Sequence, residues 1–224
     1  MRVVSPVIVA LDVPTLDEAR SLAARIGDAV GAVKVGMELF GAEGPAAVRA
    51  FEHQGVFLDL KLHDIPTTVR RTVGALAPLG AELLNIHALG GRAMMEAANQ
   101  TKGATKILAV TILTSLGDGD LKEVGLPPAD EAVPMLAALA RDAGCDGVVC
   151  APPDIAAVRA VCPPPFLIVT PGVRPSGAAA DDQARVMTPR EAIAAGADRL
   201  VVGRPITRAA DPRSAAEAIV RELA

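Results

Sequence analysis

Two acids and a lysine at fixed spacing, in Asp59-Leu60-Lys61-Leu62-His63-Asp64-Ile65-Pro66, form the sharpest chemical signal in the sequence. If VFLDLK is a strand, its period of two puts Asp59 and Lys61 on one face, pointing into one cavity. A carboxylate beside a lysine keeps the ammonium charged in an apolar setting, and such an ammonium is both an electrostatic stabiliser and a proton source. Asp64 falls just beyond the strand, in the turn before the Ile-Pro bond, where it can reach its own site or a neighbouring subunit. Lys34, inside AVKVG, is a second ammonium in an apolar run and needs a carboxylate partner to remain charged.

The arrangement recurs along the chain. Asp12 follows VIVAL, His87 ends LLNIH, Thr111 and Thr114 follow ILAV, Arg174 follows FLIV through Thr170-Pro171-Gly172-Val173, and Arg204 follows RLVVG. Charged residues appear wherever buried strands emerge into water, so one such position says little. Seven strands that run into polar residues at the same end imply a constellation at one mouth. Other residues read more plainly: His87 as a hydrogen-bonded mouth histidine, His53 as a helix-end surface residue, His63 as lining or supporting the mouth, Met94-Met95 as core. The histidines do not form a metal site with Asp59 on spacing grounds.

The elements that must position these residues alternate regularly. Candidate strands at 6–11, 32–36, 56–61, 83–87, 106–112, 147–150, 166–170 and 199–203 are interleaved with helical patterns near 15–26, 43–54, 66–77, 91–102, 130–143, 153–161, 188–195 and 211–223. Thr15-Leu16-Asp17-Glu18 reads as a capping box, and Thr188-Pro189-Arg190-Glu191 as an N-cap with proline at the first helical position. Eight β-then-α units leave no segment large enough for a second domain. The expected fold is α/β, a (β/α)8 barrel, with residues 1–224 as a single domain. Two longer connections, at about 114–129 and 171–187, both follow strands and so lie on the carboxyl face, where barrel enzymes keep their sites.

Composition excludes several classes of function. A formal charge of −4, no Trp or Tyr and only four Phe leave neither a basic patch nor stacking platforms for nucleic acid. Three cysteines without C-x-x-C spacing suggest neither a disulfide framework nor zinc, which fits a cytoplasmic location. The apolar start from Val3 to Leu11 runs directly into Asp12, Asp17 and Glu18 without a small-residue cleavage site, so it reads as a strand rather than a signal segment. No apolar run approaches the ~18 residues needed to cross a bilayer.

Taken together, Ala10-Leu11-Asp12, Val33-Lys34-Val35-Gly36, Asp59-x-Lys61-x-x-Asp64-Ile-Pro-x-Thr68, Thr170-Pro171-Gly172-Val173-Arg174-Pro175 and Val201-Val202-Gly203-Arg204-Pro205 resemble the compact bacterial orotidine 5′-phosphate decarboxylases. The likeness covers nearly the whole chain in motif order. Asp-x-Lys-x-x-Asp alone is shared with related sugar-phosphate barrel lyases, whereas its combination with Ile-Pro-x-Thr, Arg174, Gln183 and Gly203-Arg204 is more specific. The resemblance implies decarboxylation of orotidine 5′-monophosphate to UMP with no metal or organic cofactor. It implies that Lys61 is the proton donor, that Asp59 lies beside the departing carboxylate, and that Lys34 and Asp64 complete a charged network. It implies ribose contacts from Asp12 and Lys34, with Thr68 across a homodimer interface, a further substrate contact from Thr67, and a pyrimidine contact from Thr114 or its neighbour Ser115. It implies phosphate contacts from Arg174, Gln183, Gly203 and Arg204, with Pro171 as a further substrate-binding residue. The alternatives are a Mg²⁺-dependent sugar-phosphate decarboxylase or aldolase of the same superfamily, and a non-catalytic nucleotide-binding barrel.

Overall fold

Short β-branched runs alternating with amphipathic helices produce eight parallel strands that pair in chain order and close on themselves. In the computed structural model, which describes residues 5–175 and 187–223, the strands are β1 (Val7–Ala10), β2 (Ala32–Gly36), β3 (Val56–Leu62), β4 (Leu83–His87), β5 (Lys106–Val110), β6 (Gly147–Val149), β7 (Leu167–Pro171) and β8 (Arg199–Val202). The barrel closes through β1 and β8, with Ile8 opposite Val201. Around it run α1 (Leu16–Ile26), α2 (Met37–Glu43), α3 (Ala46–Arg49), α4 (Pro66–Leu76), α5 (Gly91–Asn99), α6 (Asp118–Glu123), α7 (Ala129–Asp142), α8 (Ile155–Val161), α9 (Pro189–Ala195), α10 (Arg204–Thr207) and α11 (Pro212–Glu222).

Alternation along each strand divides the core in two. Val7, Val9, Val33, Val35, Leu58 and Leu84 face outward and pack against the helices. Ile8, Ala10, Ala32, Phe57, Leu83, Leu108, Val169 and Val201 fill the barrel itself. At the amino end, aspartates tie the cylinder together: Asp146 Oδ2 accepts from Ile107 N at 2.7 Å and Lys102 Nζ at 2.5 Å, and Asp198 Oδ2 from Ile168 N at 2.7 Å and Arg159 Nη2 at 2.6 Å. These carboxylates accept from strand amides near the amino ends of β5 and β7, so their role is structural.

All eight expected strands are present within two residues of their expected ends. The helical pattern expected over 43–54 resolves instead into α2, which starts directly after β2, and the single-turn α3. Gly44, at φ 57°, ends the first, and Pro45 opens the second. No Ser, Thr, Asp or Asn marks the start of α2, whose N-cap is Gly36. The connection at 114–129 contains α6, fixed by Gly117 N donating to Asp120 Oδ2 at 2.8 Å and by burial of Leu121. The Thr188–Glu191 capping box forms fully, whereas Thr15 supplies one half of its box by accepting from Glu18 N. Among the described residues no helix is long and apolar enough to cross a membrane.

Candidate active site

The phase of the inner layer carries straight into the site. Counting by twos, Ile8 and Ala10 lead to Asp12, Ala32 to Lys34 and Gly36, Phe57 to Asp59, and Leu83 to Asn85 and His87. The positions that are apolar inside the barrel therefore become polar together as the strands reach its carboxyl end.

Three of these side chains, together with Lys61, form one ionic chain of alternating sign. Lys34 Nζ lies 2.7 Å from Asp12 Oδ1 and 3.3 Å from Asp59 Oδ2, and Lys61 Nζ lies 2.6 Å from Asp59 Oδ1. The Lys34 side chain is 9% exposed, against 30% for Lys61, so Lys34 is the buried brace and Lys61 the ammonium open to the mouth. Burial pushes the Asp59 carboxyl up, but the two ammonium groups and the hydrogen bonds from Lys61 and Asn85 outweigh it and hold the group below its ordinary value. Asp59 is thus ionised at neutral pH. Gly36 makes room for the chain: a Cβ there would lie 2.9 Å from Asp12 Oδ1 and 3.0 Å from Lys34 Nζ.

Lys61 reaches Asp59 by more than strand alternation. Its φ is +51°, the one positive value at a non-glycine position among the described residues. The β3–β4 register jumps between the Leu58–Leu84 and Leu62–Ile86 pairs, so three β3 residues stand opposite Asn85 alone. Such a backbone costs ~1–3 kcal/mol and persists only where its surroundings hold it.

His87 Nδ1 accepts from Leu89 N at 3.4 Å, and its ring stacks on His63 with centroids 5.3 Å apart. Burial, then His63 and Lys61, push its pKa below the ordinary histidine value, so the imidazole is neutral at pH 7. Thr111 is buried and donates to Val149 O at 3.0 Å, a structural bond.

The remaining expected residues stand around this chain rather than in it. Asp64, Thr67, Thr68 and Thr114 are exposed, and Asp64 Oδ1 accepts from the Ile65 amide at 2.6 Å instead of meeting a lysine of its own chain. Pro171 ends β7, and Arg174 is buried just beyond it, its amide donating to Met187 O at 3.0 Å. Gly203 caps the short α10 directly after β8, and Arg204 is its first residue. Gln183 lies outside the described residues. Asn85 was not among the expected site residues. It is the third residue of LLNIH, in phase with Leu83, and that phase is the signal that could have found it.

A closed parallel barrel with an ionic network at the carboxyl ends of β1, β2 and β3 is the architecture of an α/β-barrel enzyme. A family model described as orotidine 5′-phosphate decarboxylase / HUMPS family matches residues 5–219. Proteins named orotidine 5′-phosphate decarboxylase from Trichlorobacter lovleyi and Anaeromyxobacter sp. (strain K) are each 54% identical to this chain. The first match covers 97% of this chain and 94% of the relative, the second 96% of each. Among solved structures, the orotidine 5′-phosphate decarboxylase of Lactobacillus acidophilus superposes with TM-score 0.87 at 40% identity, covering 98% of this chain and 99% of that one. That of Pyrococcus horikoshii OT3 gives 0.80 at 26% identity, covering 97% and 98%. The chain belongs to the orotidine 5′-phosphate decarboxylase / HUMPS family.

Proposed function

We propose that the protein converts orotidine 5′-monophosphate to UMP and carbon dioxide, a step of de novo pyrimidine synthesis in the cytoplasm, with Lys61 as proton donor and without metal or organic cofactor. The observation that carries this reading is the Asp12–Lys34–Asp59–Lys61 chain at the barrel mouth. Breaking the bond from C6 to the carboxylate leaves an electron pair in the plane of the ring, where the π system delocalises it poorly. An ammonium aimed at C6 stabilises that charge as it develops and then delivers its proton to the same carbon. At an effective dielectric of ~20 two unit charges ~4 Å apart interact by ~4 kcal/mol, a substantial part of the ~8–23 kcal/mol typical of enzymes.

Asp59 holds Lys61 in place and stands where the substrate carboxylate must leave, while Lys34 keeps Asp59 ionised. Asp12 and Lys34 serve the ribose hydroxyls, and Thr114 the pyrimidine edge. Arg174, Gln183, Gly203 and Arg204 serve the phosphate, after β7 and β8 where barrels commonly bind it, and Pro171 is a further substrate contact. Binding energy from that remote phosphate can be spent on desolvating the base. Lys34 Nζ stands between the carboxylates of Asp12 and Asp59, at 2.7 and 3.3 Å, so an ammonium group takes the place a divalent ion would need to bridge them, which favours this reading over the metal-dependent sugar-phosphate lyase.

Two protomers share each site in this proposal. Asp64, Thr67 and Thr68 are exposed, and so are the large apolar side chains Ile65, at 67%, and Met37, at 59%, which suits a surface covered by a second copy. The direct test is decarboxylation of orotidine 5′-monophosphate by the chelated protein, compared with Lys61→Ala.

A further inference from the structure

We infer that Asn85 is a positioning residue, one side chain that fixes both the backbone of Lys61 and the carboxylate of Asp59. The inference rests on the reading of Lys61 and Asp59 as the reacting pair. Asn85 Oδ1 accepts from Lys61 N at 2.7 Å, and Asn85 Nδ2 donates to Asp59 Oδ1 at 2.6 Å. Asn85 is 1% exposed. It sits opposite the irregular stretch of β3, where the backbone ladder to β4 is interrupted and Lys61 takes its positive φ. The Lys61 amide has lost its place in the ladder, and the amide side chain of Asn85 replaces the missing carbonyl.

The same Asp59 oxygen that receives Asn85 Nδ2 also receives Lys61 Nζ at 2.6 Å. Asn85 therefore sets the ammonium from both ends: through the backbone it hangs from and through the carboxylate it is tied to. A neutral amide can do this without adding charge to the network. An aspartate would supply the acceptor for Lys61 N but, when ionised, would repel Asp59.

The test compares wild-type protein with Asn85→Ala and Asn85→Asp in two measurements. In the first, hydrogen exchange at the Lys61 amide is followed by NMR. It is expected to accelerate at least ~10-fold in Asn85→Ala and to stay near wild type in Asn85→Asp, which keeps the acceptor. Unchanged exchange in a folded Asn85→Ala variant overturns the backbone half of the inference, whatever the protein's activity. In the second, steady-state turnover of orotidine 5′-monophosphate is measured from pH 6 to 9. In Asn85→Ala kcat is expected to fall by ~10²-fold, the scale of a misplaced reacting group, with KM and UMP affinity within about threefold of wild type. In Asn85→Asp kcat is expected to be highest at the acid end, where the introduced carboxyl is protonated and donates to Asp59, and to fall as pH rises. A kcat within threefold of wild type in Asn85→Ala, or a loss confined to KM, overturns the positioning role. A wild-type pH profile in Asn85→Asp overturns the donation to Asp59. Wild-type protein that fails to turn over the nucleotide sinks the functional reading instead, and the exchange measurement still decides how Lys61 is held.

Discussion

Lys34 Nζ stands 3.3 Å from Asp59 Oδ2, a contact set by the β2–β3 register that places Gly36 opposite Asp59. Removing the carboxylate takes away the group that both ammonium groups contact, while Asp12 stays beside Lys34. Asp59→Ala is expected to lower stability by ~3 kcal/mol at pH 7, the lower end of the range for breaking a buried pair. Because the folded-state pKa of Asp59 lies below its ordinary value, its contribution is complete above that ordinary value and is lost as pH falls through the lower, folded one. Urea midpoints of wild type and variant should therefore begin to converge as pH falls past the ordinary carboxylate value and go on converging through the lower, folded one. A gap that stays constant over that range contradicts the assignment of charge.

Gly36 offers a test that removes no charged group. A methyl there meets Asp12 Oδ1 at 2.9 Å and Lys34 Nζ at 3.0 Å, so Gly36→Ala must push the pair aside. If that pair holds the ribose, KM should rise by ~10-fold while kcat changes less. An unchanged KM in a folded variant would show that Asp12 and Lys34 do not contact substrate.

The shared site is tested by mixing. Lys61→Ala and Asp64→Ala chains, each crippled alone, should form heterodimers in which one of the two sites carries intact Lys61 and intact Asp64. Activity is expected to return to about half the wild-type value per dimer, since the other site carries both lesions. If mass spectrometry verifies subunit exchange and no activity returns, Asp64 acts within its own chain or not at all.

Cys145, Cys150 and Cys162 are free and buried. Burial pushes the Cys145 thiol up to about 11 and Cys150 up to about 12, so at pH 8 only about one thousandth of Cys145 is thiolate. Native protein should react slowly with a thiol-disulfide reagent at pH 8, and denatured protein should titrate three thiols. The raised folded-state values also mean that the thiols' contribution to stability, complete below the ordinary thiol pKa, is lost as pH rises toward 11–12. Rapid native labelling of all three would contradict the packing around β6.

Most of the site was legible because strand alternation carries chemical meaning. Asp12, Lys34 and Asp59 each follow an inward-facing apolar residue by two, and the sequence alone places them on one face. Lys61 was legible as a residue but not as a backbone. Nothing in its side-chain type announces a positive φ, which arises from the irregular pairing of β3 with β4. Asn85 was hidden for the same reason, since a lone amide in LLNIH acquires its partners only once that pairing is known. Helix α2 escaped because it begins without a capping side chain directly after a strand. Thr67, Thr68 and Asp64 are exposed surface residues within one chain, and in the proposed shared site their place in the chemistry depends on a second protomer.

Single turnover of orotidine 5′-monophosphate in EDTA separates the role of Lys61 from that of any metal, with wild type and Lys61→Ala followed side by side through the pyrimidine absorbance, where a protein without Trp or Tyr adds almost no background. Lys61→Ala removes both the charge facing C6 and the proton source, so full conversion to UMP is expected from the chelated wild-type protein and a loss of at least ~10⁴-fold from the folded variant. Near-normal decarboxylation by folded Lys61→Ala, or a wild-type protein that turns over only when Mg²⁺ is restored, would contradict it.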